Sequence, residues 1–152
     1  MVSEQEWAAA LRQPLPELRG FLRAHIDLPG LRWHRMRAEG LSDRDLAPFD
    51  AGHDVFADGS LLLLPTPGHT PGPMSLLVRR PGHAPLLLVG DLIYDADLLA
   101  AGHVPGAGDK AQMRKAVADV NALRQRFPAL TVLAAHDPAA ADRLATPPGA
   151  RP

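Results

Sequence analysis

The sequence contains no cysteine. Disulfides, thiolate metal sites and cysteine nucleophiles are therefore excluded, which suits a cytoplasmic protein. Apolar runs reach only about five residues, far short of the roughly 20 needed to span a bilayer. The start, Met-Val-Ser-Glu-Gln-Glu, is acidic and has no apolar core, so it does not read as a signal peptide. The net charge of −1 gives no electrostatic case for nucleic acid or an anionic membrane as partner. Arginine greatly outnumbers lysine, which with abundant Ala, Leu and Pro reads as genomic base bias. No HExxH, HxH or CxxC pattern is present, and no internal repeat.

What is there fits one domain. A chain of 152 residues can bury a core but is short for two domains. Ser3 and Glu6 form a capping-box pattern that opens a helix through about Leu11, and Pro14 and Pro16 then interrupt it. A second helix is predicted from Pro16 to His25. Residues 28–59 are rich in turn formers. Strands are predicted at Ser60–Leu64, Ser75–Arg80 and Leu86–Gly90, and again at "LTVLAA". Between the last two, Met113, Ala116, Val117, Val120, Leu123 and Phe127 recur at helical spacing. Asp109 and Pro128 bracket a helix from about Lys110 to Arg126. "LLLL" and "PLLLV" do not alternate apolar with polar, as in strands buried on both faces. Helices of this chain could cover one face; the sequence offers little for the other. The segment from Thr146 reads as a frayed Pro/Gly tail.

Seven histidines are present, and five of them (His25, His34, His53, His83 and His103) read as surface or loop residues. Three polar positions differ by their setting. His69 sits in the rigid loop "PTPGHTPG" after a leucine strand, Asp91 follows "LLLVG", and His136 follows the last strand. All three lie just past the C-terminal ends of strands, where open α/β sheets collect ligand-binding groups. Imidazole and carboxylate are standard zinc ligands, and a carboxylate can bridge two metals. By these features alone, metal ligands and structural turn residues are equally good readings.

"LLLLPTPGHTPGPMSLLV", "LLLVGDLIY" and "LAAHDP" stand in an order, and at intervals of 22 and 45 residues, that resembles the second half of a metallo-β-lactamase-fold hydrolase. The likeness spans roughly residues 55 to 145. Asp91-Leu-Ile-Tyr94 and the closing "HDP" are similar to N-acyl-homoserine lactonases in particular. The resemblance implies that His69 binds one zinc and His136 another, with Asp91 bridging them. It also implies that Tyr94 lies over the site and meets the ester oxygens of a lactone. Pro73 stands where many relatives carry a further histidine, one not usually a ligand.

The family's His-x-His-x-Asp-His motif is absent from these residues. Residues 1–50 instead resemble the helical and loop segment that shapes the substrate pocket. The expected fold is therefore α/β (α+β), the C-terminal half of a four-layer αββα sandwich. A mixed sheet flanked by helices would form a single, apparently truncated domain. Such a chain would hold zinc partially or not at all, where the complete site has two. Alone it would have little or no activity, and it would expose a sheet face that favours a homo-oligomer. The implied partner is a small-molecule ester or lactone, not nucleic acid or membrane. Two alternatives are a non-catalytic remnant that acts as an oligomerising or binding module, and a glyoxalase II-like thioesterase. Arg32, Arg35 and Arg37 read as a solvated basic loop rather than an anion site. Trp7 and Trp33 read as packing residues, and Asp95 and Asp97 as solvated loop residues.

Overall fold

A computed structural model describes residues 1–12, 23–26 and 28–146, the side chains of Arg23 and His25 excepted. Most of the helix expected at Pro16–His25 lies outside them, as does the tail beyond Thr146. Strand β1 (Val2–Ser3) leads into helix α1 (Glu4–Leu11), and α2 is a single turn (Arg23–Ile26). Short strands β2 (Arg35–Met36) and β3 (Glu39–Gly40) follow, then a 3-10 turn at Arg44–Leu46. The sheet proper consists of β4 (Ala51–Asp54), β5 (Leu61–Pro65), β6 (Met74–Val78) and β7 (Leu86–Gly90). A 3-10 helix (Ala96–Leu99), α3 (Lys110–Arg126), β8 (Thr131–Ala134) and α4 (Ala140–Ala145) complete the order.

The main sheet runs in the order β3-β4-β5-β6-β7-β8. Neighbours from β3 to β7 are antiparallel hairpin partners, whereas β7 and β8 are parallel. A parallel pair needs a crossover, and α3 supplies it. The helix begins at Asp109, whose carboxylate accepts hydrogen bonds from the N–H groups of Ala111 and Gln112. Pro128, which cannot continue the hydrogen-bonded ladder, follows its end. Its buried stripe of Met113, Ala116, Val117, Val120 and Leu123 packs on Leu62, Leu64, Leu77, Leu87, Val89 and Val132 to form the core. The mixed sheet with flanking helices is the expected fold class.

The leucine runs are not buried on both faces. Burial alternates along β5, β6 and β7, because only the α3 side is closed. On the other side the in-register rows Leu63–Leu76–Leu88–Leu133 and Leu61–Val78–Leu86 are only half covered, and Leu88 is 39% exposed. The N-terminal segment reaches one end of this face, where Met36 is buried close to Leu63 and Met74. The first 50 residues therefore contribute paired strands as well as helix and loop. Trp7 and Trp33 pack against each other with ring centroids 6.1 Å apart, and Arg35 lies 6.0 Å over the Trp7 ring.

Candidate metal centre

Because β7 and β8 are parallel neighbours, the residues that follow them emerge side by side. A bulge sharpens this. Leu88 pairs with Leu133, but the next pair is Gly90 with Ala134, so β7 carries one extra residue at its end. Bulges of this kind re-aim the side chains beyond them. The Ala135 N–H donates to the Gly90 carbonyl at 3.1 Å and keeps the two strand ends together. Asp91 and His136 consequently meet, with His136 Nε2 3.1 Å from Asp91 Oδ1. Despite this contact, Asp91 Oδ1 is buried without a hydrogen-bond partner. The Tyr94 ring stands edge-on to the His136 ring, centroids 5.5 Å apart, and is itself exposed.

His69 follows β5, which points the same way as β7 but lies two strands from it. Two strand spacings separate β5 from β7 by about 10 Å. The His69 loop is held firmly at both ends. On one side the Glu6 carboxylate accepts the Thr70 hydroxyl at 2.7 Å and the Gly72 N–H at 2.8 Å, while the Ser3 hydroxyl donates to the Gly72 carbonyl at 2.6 Å. On the other, the Asp109 N–H donates to the Gly68 carbonyl at 2.7 Å. Ser3 caps α1 as expected, accepting from the Glu6 N–H at 3.0 Å. The Glu6 carboxylate, however, turns to the histidine loop. His69 Nδ1 is also buried and without a partner.

Among the described residues, no three His, Asp or Glu side chains come close enough to hold one metal ion. The donor chemistry fits a metal, since an imidazole and a carboxylate meet and both Asp91 Oδ1 and His69 Nδ1 lack partners. Two ligands in one place do not complete a zinc site, which takes three or four. His34, His83 and His103 are exposed, and His53 lies on β4 away from the Asp91 loop.

Residues 4–136 match the model of the Metallo-beta-lactamase superfamily. The chain belongs to that superfamily. Among curated relatives, it is 34% identical over 131 residues to the N-acyl homoserine lactonase AttM of Azorhizobium caulinodans, a match that covers 86% of this chain and 46% of the relative. The AttM lactonase of Rhizobium radiobacter is 34% identical over 120 residues, covering 78% and 42%. This superfamily member thus spans about half the length of the curated relatives it matches. Its fold also matches a solved N-acyl homoserine lactone hydrolase with the product N-hexanoyl-L-homoserine at its catalytic metal center. There the TM-score is 0.66 at 24% identity, covering 90% of this chain and 46% of that one.

Two residues of the site region were given no role by the sequence: Asp137, within the "HDP" stretch, and Arg143. Asp137 is buried, and its carboxylate accepts from the N–H groups of Ala139 (2.8 Å) and Ala96 (3.2 Å) and from Arg143 Nε (2.8 Å). Burial pushes this carboxyl up, but these donors outweigh it and hold it below the usual carboxylate range. Arg143 also pairs with Asp97 at 2.8 Å and Asp95 at 3.4 Å, so the expectation that these two aspartates merely solvate the loop is corrected. The bond from Arg143 likewise holds the Asp97 carboxyl low. Arg37, expected in a solvated loop, pairs at the surface with Glu4 at 2.8 Å.

Proposed function

We propose that this chain supplies one half of the metal-dependent centre of a lactone hydrolase, with zinc as the metal and acyl-homoserine lactones as the substrate class. The meeting of Asp91, His136 and Tyr94 at adjacent parallel strand ends carries the reading. The relatives named as N-acyl homoserine lactonases support its substrate class. His136 and Asp91 would hold one zinc, and His69 with Asp91 the other. The remaining ligands would come from a His-x-His-x-Asp-His segment that these 152 residues do not contain. Bound zinc polarises a carbonyl and lowers the pKa of water from about 15.7 toward 7. Tyr94, open to solvent beside His136, offers its hydroxyl to the ester oxygens. Asp91 takes the proton that water releases as its oxygen adds to the lactone carbonyl, and gives it to the ring alkoxide as the ester C–O bond breaks.

Calorimetric titration of zinc into the 152-residue chain should show weak, substoichiometric binding that Asp91→Ala and His136→Ala both remove. Two tightly held metals per chain, or lactone turnover by this chain at an enzyme-like rate, would overturn the half-site reading. A marked preference for thioesters in an upstream-extended protein would instead favour a glyoxalase II-like activity.

The half-covered leucine rows support a second part of the proposal, that the 152-residue chain pairs with another copy of itself through this face. Rows of in-register leucines are self-complementary, and large exposed apolar patches drive association. A stable monomer at micromolar concentration in light scattering would exclude it.

A further inference from the structure

We infer that Asp137, clamped by Arg143, is a positioning residue that sets the His136 ring against the Tyr94 loop. Asp137 is the residue after His136, so any movement of its backbone moves the imidazole. Its side chain is completely buried at the base of the site and is bonded to both loops at once. One carboxylate oxygen accepts from Ala139 in its own loop, and the other accepts from Ala96, two residues beyond Tyr94.

Arg143 extends the same tie. Its Nε holds Asp137, while its terminal nitrogen reaches Asp97 and Asp95 on the Tyr94 side. Asp95 in turn accepts from the Asp97 N–H at 2.8 Å and starts the 3-10 helix at Ala96–Leu99. The two loops have no secondary structure in common. Besides the pairing of β7 with β8, the Gly90–Ala135 bond and the burial of Leu92, Ile93 and Ala96 in the core, they are tied by one buried carboxylate with three donors and one guanidinium with three acceptors. A guanidinium presents its donors in a rigid fork, so it defines the distance between the loops and not merely their attraction. In its chemical consequence the inference rests on the lactonase reading, where His136 is a ligand and Tyr94 meets the ester. In its geometry it does not.

The test separates the two. In the 152-residue chain, proton NMR should show contacts between the Tyr94 and His136 rings. These should vanish in Asp137→Asn and Arg143→Ala and weaken in Arg143→Lys. The remote contacts between the Trp7 and Trp33 rings should persist in all four proteins and report an intact fold. Zinc affinity should fall about 10- to 100-fold in Asp137→Asn, the range typical of residues that orient a ligand, and by less in Arg143→Lys. If the Tyr94–His136 contacts survive in Asp137→Asn, or zinc affinity is unchanged there, the inference is overturned. Should Asp137→Asn fail to fold, Arg143→Lys decides, and unweakened ring contacts in it overturn the inference. If wild type shows the ring contacts and binds no zinc, the lactonase reading falls and the ring contacts alone judge the clamp.

Discussion

A glycine stands immediately before each of two candidate ligands, Gly68 before His69 and Gly90 before Asp91, and their substitution by alanine should have very different costs. Both have positive φ, +137° at Gly68 and +57° at Gly90. At Gly90 a new Cβ would meet nothing within 4 Å, so only the backbone penalty applies, about 1–2 kcal/mol for a left-handed residue. At Gly68 the Cβ would lie 2.4 Å from Met113 Cγ, 2.6 Å from Met113 N and 3.0 Å from the Asp109 carbonyl oxygen. The methionine side chain can yield, but the first turn of α3 cannot. Backbone strain of about 1–3 kcal/mol then adds to overpacking of about 1–3 kcal/mol, giving roughly 2–6 kcal/mol. A domain of this size loses about 2–4 °C of Tm per kcal/mol. Gly68→Ala should therefore unfold roughly 5–20 °C below wild type, and Gly90→Ala within about 8 °C. Thermal unfolding followed by circular dichroism measures both. Equal losses in the two variants, or a neutral Gly68→Ala, would refute the claim that α3 and the histidine loop are locked together.

In an upstream-extended protein, Asp91→Ala should lose zinc and lactone hydrolysis together, whereas Tyr94→Phe should keep its zinc and lose roughly 100- to 1000-fold in rate; metal analysis beside kinetics checks both. The charged end of Leu88→Glu would be buried unpaired in a face-to-face dimer, at about 2–5 kcal/mol. Sedimentation should therefore show self-association weakened at least tenfold. The hydrogen bond from Arg79 at 2.7 Å holds the Asp43 carboxyl below its ordinary value of 3.8. A depressed carboxylate contributes stability that is fully present above that value and is lost as pH falls through the lower folded value. The pair is about one-third exposed and so contributes about 0.5–1 kcal/mol. The Tm gap between wild type and Asp43→Asn should thus be about 1–4 °C at neutral pH and close below pH 3.8; a gap that does not change with pH contradicts it.

Where a signal is local, the sequence carried it. Helix α3 runs over the expected Lys110–Arg126, and β7 over the expected Leu86–Gly90, because a cap, a proline and a glycine mark their ends. Strand β5 sits one residue later than expected, at Leu61–Pro65, where Pro65 still pairs with Met74 of β6. The leucine runs hid which face is covered, because leucine occupies both. The placing of Asp91 and His136 just past strand ends was legible in the apolar runs before them, but their meeting was not, since it depends on β7 and β8 being parallel neighbours. The Asp137–Arg143 tie and the turn of Glu6 toward Thr70 were not, for each joins residues that share no periodicity or motif. Only the folded chain brings Glu6 to residues 64 and 66 positions away.

The strand directions divide the sheet into two unlike edges. One carries the loops that hold His69, Asp91 and His136. Among the described residues, the other carries the connections 55–60, 79–85 and 127–130. The Arg80–His83 turn on that second edge is exposed, and Gly82 has nothing within 4 Å of where a Cβ would stand. Exposed turns of this kind tolerate insertion. A fluorophore, an affinity handle or a surface tether grafted there would leave the histidine edge facing outward. The molecule thus has a ready point of attachment on the side opposite its chemistry.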